Sequence, residues 1–130
     1  MDANVLFSAL IANGKTAELL LSDALELYVP ELILAEFTKY KAFLIGKSYR
    51  SEADFRDTLD VFRRKVRVVP GRRLEPFLVR AKKISPDEDD AHYFAAAFFL
   101  GCAIWSNDKK LKQQGAVAVL STEDMIALLG

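Results

Sequence analysis

Two rhythms of apolar residues alternate along this chain. Short runs of Val, Leu and Ile are separated by longer stretches in which apolar positions return every three or four residues. That alternation predicts repeated strand–helix units and a parallel sheet, so the expected class is α/β. Strands are expected at Leu25 to Val29, Val66 to Val69, Ala103 to Ser106 and Ala116 to Leu120.

Punctuating residues set the helices between them. An opening helical stretch breaks around Asn13-Gly14, and Thr16 is placed to cap a turn through Leu21. Pro30 at a first helical position loses no intrahelical bond, so a helix should run from it to Ile45, with Gly46 as its stop. Ser51 followed by Asp54 predicts a capped helix to about Arg64, and Pro70-Gly71 turns the chain into a helix over Leu74 to Lys83. Ser85-Pro86-Asp87 starts another that ends near Gly101. A short helix from Asp108 and a final one capped by Ser121 complete the pattern.

Composition narrows the setting. Apolar residues make up 52% and charged residues 28%, the balance of a globular chain, and 130 residues suit one domain over 1–130. The longest uncharged stretch, Tyr93 to Asn107, falls short of the roughly 20 residues that cross a bilayer, and no signal peptide opens the sequence. The expected compartment is the cytoplasm. Cys102 is the only cysteine, which rules out an internal disulfide and a cysteine-based zinc site; any metal must be held by oxygen.

Charge is zero overall but unevenly divided. From Lys39 to Lys83 there are fourteen Lys or Arg against five Asp or Glu, a net +9, between two acidic flanks. Such a segment suits either an anionic polymer or a solvated helical face. Within it, Arg63, Arg64, Arg72 and Arg73 flank the expected strand Val66 to Val69 and could track a phosphate backbone.

The acidic residues carry the candidate chemistry. Ligands of open parallel sheets bind beyond the carboxyl ends of the strands, and Asp108 follows one such end by two residues. Asp2 could sit similarly after a first strand, while Glu36 lies among apolar Leu32, Ile33 and Phe37, where a free charge is costly. Asp90 belongs to the run Asp87-Glu88-Asp89-Asp90 at a helix start, which dipole compensation alone would explain. Asp87 and Asp90 share a helical face and could serve one site, whereas Glu88 and Asp89 read as solvated. Carboxylates gathered together resist ionising together, and a divalent cation removes the conflict. All-oxygen donors favour Mg²⁺ or Mn²⁺, ions suited to phosphodiester hydrolysis. His92 faces elsewhere on its helix, Trp105 reads as sheet core, and Phe37, Tyr40, Phe43 and Leu44 share a spacing that reads as core or a dimer surface. No Gly-rich phosphate loop, His-Glu-x-x-His or Gly-x-Ser-x-Gly occurs.

Four blocks together resemble the PIN-domain family of metal-dependent ribonucleases, which includes VapC-type toxins. They are Asp2-Ala3-Asn4-Val5-Leu6; Val29-Pro30 leading to Glu36-Phe37; Asp87-x-x-Asp90-Ala91 running into Ala95-Ala96-Ala97; and Trp105-Ser106-Asn107-Asp108-Lys109-Lys110-Leu111. The resemblance implies a three-layer α/β/α fold with a central parallel sheet of about five strands in the order 3-2-1-4-5. It also implies that Asp2, Glu36, Asp90 and Asp108 hold Mg²⁺ or Mn²⁺, that Asn4 and Ser106 support them, and that Asp87 adds an outer contact. The family's first strand precedes its first Asp, yet only Met1 precedes Asp2, so a stunted or truncated first strand is expected. The implied activity is an endoribonuclease, possible partners being RNA, an antitoxin protein and a second copy of the chain. A catalytically inactive scaffold that binds RNA or protein is the alternative.

Overall fold

The computed structural model describes residues 1–11, 14–48 and 50–129. Its elements run α1 (Ala3–Ile11), α2 (Lys15–Leu20), β1 (Leu27–Pro30), α3 (Leu32–Ser48), α4 (Glu52–Lys65), β2 (Val66–Val69), α5 (Gly71–Ile84), α6 (Ala91–Leu100), β3 (Ile104–Trp105), β4 (Val119–Leu120) and α7 (Thr122–Leu129). Single 3-10 turns cover Glu88–Asp90 and Lys109–Gln113.

The α/β class and the parallel pairing hold, and the described strands form two short parallel pairs, so the expected central sheet of five strands is seen only in part. Among the described residues β1 pairs with β2, Leu27 opposite Val66 through Pro30 opposite Val69, and β3 pairs with β4. Met1 and Asp2 bond to one strand of each pair: the Met1 amine donates to the Tyr28 carbonyl at 3.2 Å, and the Asp2 N–H to the Trp105 carbonyl at 3.0 Å. The cause is local. Asp2 caps α1, its Oδ1 accepting the Val5 N–H at 2.9 Å, so helix begins where a ladder would have to continue.

Side chains of successive strand residues point to opposite faces and feed two apolar clusters. Leu27, Val29, Trp105 and Leu120 join α1 to α4 and Met125 on one face; Tyr28, Val69, Ile104 and Val119 join α5 and α6 on the other. Helices therefore cover both faces. Ser51 caps α4 by accepting the Asp54 N–H at 3.1 Å, and Ser121 caps α7 through the Asp124 N–H at 3.0 Å. Gly101 ends α6 at φ 66°, a left-handed conformation that glycine adopts without penalty.

Four expected boundaries move. Pro30 closes β1 instead of opening α3, because its partner Val69 continues the ladder to that position. Gly46 lies inside α3, which the burial of Leu44 and Ser48 carries to Ser48. Thr16 lies within α2, behind Gly14 at the cap position, and Asn13 falls outside the described residues. Gly71 starts α5, with Glu31 Oε2 accepting its N–H at 2.6 Å. No helix among the described residues is long and apolar enough to cross a membrane.

Candidate functional site

Helix periodicity builds one wall of the main polar cleft. Leu32, Glu36, Tyr40 and Leu44 recur every four residues, so α3 presents them on a single face. Opposite stand Asn4, Phe7 and Ile11 of α1, and the acidic end is completed by Asp2, Asp90 and Asp108. The cleft measures ≈ 550 Å³, and Asp2, Glu36, Asp90 and Asp108 all line it.

Each carboxylate has a distinct setting. Asp2 is 6% exposed and fully engaged: besides the Val5 N–H, its Oδ2 accepts the Ser106 hydroxyl. Ser106 in turn accepts the Asp108 N–H at 3.1 Å, so one buried hydroxyl ties the ends of two chain segments together. Asp108 is exposed, and its Oδ1 accepts the Lys110 N–H at 3.0 Å, capping the 3-10 turn after it. Glu36 is half-buried on α3, and Asp90 half-buried at the start of α6.

Electrostatics couples them. Burial pushes the Asp90 carboxyl up to about 6, and the negative charges of Asp87, Asp108, Asp2 and Asp89 push in the same direction. Burial likewise raises the Tyr93 phenol to about 12; its hydrogen bond from Ala3 opposes this, while Asp2, Asp90 and Glu36 add to it. Tyr93 follows Asp90 by three residues on one helical face, lines the cleft, and accepts the Ala3 N–H on its hydroxyl at 3.0 Å. Its spacing of three from Asp90 is the one mark of Tyr93 in the sequence. His92 does not line the cleft.

Among the described residues no group of three or more His, Cys, Asp or Glu side chains stands in an arrangement that could hold a metal ion. The chemistry of the donor set nevertheless fits one. Hard oxygens share a cleft, their repulsion is registered at Asp90, and Mg²⁺ keeps several waters and needs only one or two direct carboxylates. One or two of Asp2, Glu36, Asp90 and Asp108 would bind such an ion directly and the others through its waters.

The supporting residues divide. Ser106 bonds to both Asp2 and Asp108, whereas Asn4 lines the cleft and the donors on Asp2 are Val5 and Ser106. Asp87 does not line the cleft; its Oδ1 accepts the Asp89 N–H at 3.0 Å and caps the turn before α6. Its charge still acts on Asp90 more strongly than that of Asp89, although Asp89 is the one that lines the cleft. Through-space charge reaches farther than lining contact, so both observations stand.

The four arginines are exposed but do not form one track. Arg63 and Arg64 end α4, at the amino end of β2, whereas Arg72 and Arg73 open α5 beyond its carboxyl end. The strand separates the pairs, and only the second pair follows the carboxyl end of its strand, as Asp108 follows that of β3. Trp105 is buried, its indole N–H donating to Thr122 Oγ1 at 3.0 Å, as a core residue should. Leu44 is buried too, but Tyr40 is 38% and Phe43 58% exposed where they line the cleft, so two of the four residues that share this spacing lie outside the core.

A family model described as PIN domain matches residues 1–129. No curated protein and no solved structure matches the chain.

Proposed function

The chain belongs to the PIN-domain family, whose members are generally nucleases, and from that premise we propose that it is a metal-dependent endoribonuclease. The observation that carries this reading is the meeting of Asp2, Glu36, Asp90 and Asp108 in one cleft, with Asp90 raised by burial first and then by the charges around it. Mg²⁺ or Mn²⁺ bound there would neutralise the carboxylates and the charge that develops on the phosphoryl group. Asp2, locked by Val5 and Ser106, supplies a fixed anchor; Asp108 is fixed through the same hydroxyl. Glu36, half-buried on α3, is the group we assign to accept the proton of the attacking water. Tyr93, its phenol pushed up to about 12 by burial, is neutral at physiological pH and offers a hydroxyl proton beside the carboxylates.

We also take the two strand pairs and Met1–Asp2 as one sheet in the order 3-2-1-4-5. The setting we propose is a cytoplasmic toxin, acting as a homodimer and restrained by an antitoxin. Copurification and mass in solution test those partners. The activity is tested by cleavage of single-stranded RNA with Mn²⁺ before and after Asp90→Asn: a loss on the order of 100-fold is expected, and equal cleavage by both proteins rejects the mechanism.

One observation favours a second reading, an RNA- or protein-binding scaffold that does not cut: no group of three acidic side chains among the described residues is arranged to hold an ion. Mn²⁺ titration separates the two. A site in the folded state raises the melting temperature, and a dead scaffold gives no shift.

A further inference from the structure

The cleft has two unlike halves. Beyond Glu36 the carboxylates stop and its walls become aromatic, with Phe7 from α1 facing Tyr40 and Phe43 from α3. Tyr40 and Phe43 follow Glu36 by about one and two helical turns, roughly 6 and 10 Å along the axis. Phe7 meets Tyr40 edge to face, ring centroids 5.9 Å apart at 64°, which holds the Tyr40 ring in place. Two ammonium groups accompany the rings: Lys39 Nζ lies 5.3 Å from the Tyr40 centroid and Lys47 Nζ 5.6 Å from that of Phe43.

We infer that this aromatic half is a nucleobase subsite, where Tyr40 and Phe43 stack unpaired bases of a single strand whose backbone continues over the carboxylates, with Lys39 and Lys47 neutralising its phosphates. The inference rests on the nuclease reading and names its substrate class. Aromatic faces beside cations are the general means of holding single-stranded nucleic acid, because every base has a face to stack. A duplex has its base faces covered and cannot use such a shelf.

A second copy of the chain is the competing occupant, and the local charge argues against it. The core of an association surface is depleted in charged residues, yet Lys39 and Lys47 are exposed beside these rings and the groove runs directly into carboxylates. That pattern complements a polyanion held near divalent cations.

The test reads binding alone. Fluorescence anisotropy of a labelled short single-stranded RNA, with calcium present to neutralise the carboxylates, is measured for the unaltered chain, Phe43→Ala and Phe43→Trp, with the mass in solution of each. Phe43 is largely exposed, so neither change should disturb folding. Phe43→Ala is expected to weaken single-strand binding about tenfold, in the range of one lost base stack, and Phe43→Trp to restore it. Replacing one nucleotide by an abasic one should then cost less in Phe43→Ala than in the unaltered protein, since the two changes remove the same contact. Equal affinity of the unaltered chain and Phe43→Ala, absence of single-strand binding by the unaltered chain, or a dimer that Phe43→Ala dissociates would each overturn the subsite. Cleavage is not read, so failure of the Asp90 test leaves this result standing, and the reverse.

Discussion

Asp90 offers the most quantitative handle on the cleft. In the metal-free protein its carboxyl is raised to about 6, by burial first and then by Asp87, Asp108, Asp2 and Asp89. A folded-state value above the unfolded one means that the protonated form fits the fold better than the ionised one. The resulting stabilisation is complete below the ordinary aspartate range, near pH 4, and is lost as pH rises through about 6. Taken at face value the displacement is worth about 3 kcal/mol. At a half-buried side chain, solvent screening reduces that to about 1 kcal/mol. Asp90→Asn cannot ionise, so above about pH 6 the metal-free variant should be more stable than the unaltered protein by that amount, or roughly 3–5 °C in melting temperature. Urea unfolding in EDTA across this window measures it. The unaltered chain should lose stability between about pH 4 and about pH 6 in excess of the variant, whose curve lacks that component. Parallel curves, or a variant less stable at neutral pH, would refute the claim that repulsion and burial at Asp90 strain the empty cleft.

Three further outcomes follow from the hydrogen bonds. Ser106→Ala leaves Asp2 Oδ2 buried without its donor and the Asp108 N–H without its acceptor, and should cost about 1–3 kcal/mol in denaturant unfolding. Tyr93→Phe strips the acceptor from the Ala3 N–H and should cost about 1 kcal/mol, read as a lowered melting temperature, with α1 less firmly seated over the cleft. The Asp124 carboxyl is held down to about 2, first by its hydrogen bond to Lys112 and then by Ser121, so it stays charged above that value and its contribution fades only as pH falls from about 4 toward about 2. Lys112→Ala should raise its titration midpoint, followed by carboxyl chemical shifts; an unchanged midpoint would show that Ser121 alone sets it.

Local chemistry made much of the fold legible. Val66 to Val69 is a β-branched run closed by Pro70, and the strand lies there; Ser51, Ser121 and Gly101 mark helix ends for stereochemical reasons that need no tertiary context. Where packing outweighs propensity, the sequence misleads. Gly46 costs a helix about 1 kcal/mol, yet the burial of Leu44 and Ser48 on either side extends α3 through it. At the site, Asp2, Glu36, Asp90 and Asp108 stood out as acidic residues at informative places, and a single cleft receives all of them. The aromatic half was hidden for a physical reason. Helical spacing places Tyr40 and Phe43 near the Glu36 face but does not say whether that face meets the core or an open cleft. Asp87 leaves the face of Asp90 because it is the extended cap of the 3-10 turn before α6, its Oδ1 bound to the Asp89 N–H, and not a helical residue.

The central claim is that the four carboxylates act together on a phosphodiester. Its most direct measurement is the initial rate of Mn²⁺-dependent cleavage of single-stranded RNA by the unaltered chain and by Asp2→Asn, Glu36→Gln, Asp90→Asn and Asp108→Asn, each first shown to be folded. If the cleft is one active site, every substitution lowers the rate by on the order of 100-fold, and combining two costs far less than the product of the single losses. Cleavage that survives any of the four at the unaltered rate, or an unaltered chain that does not cut in Mn²⁺, would contradict it.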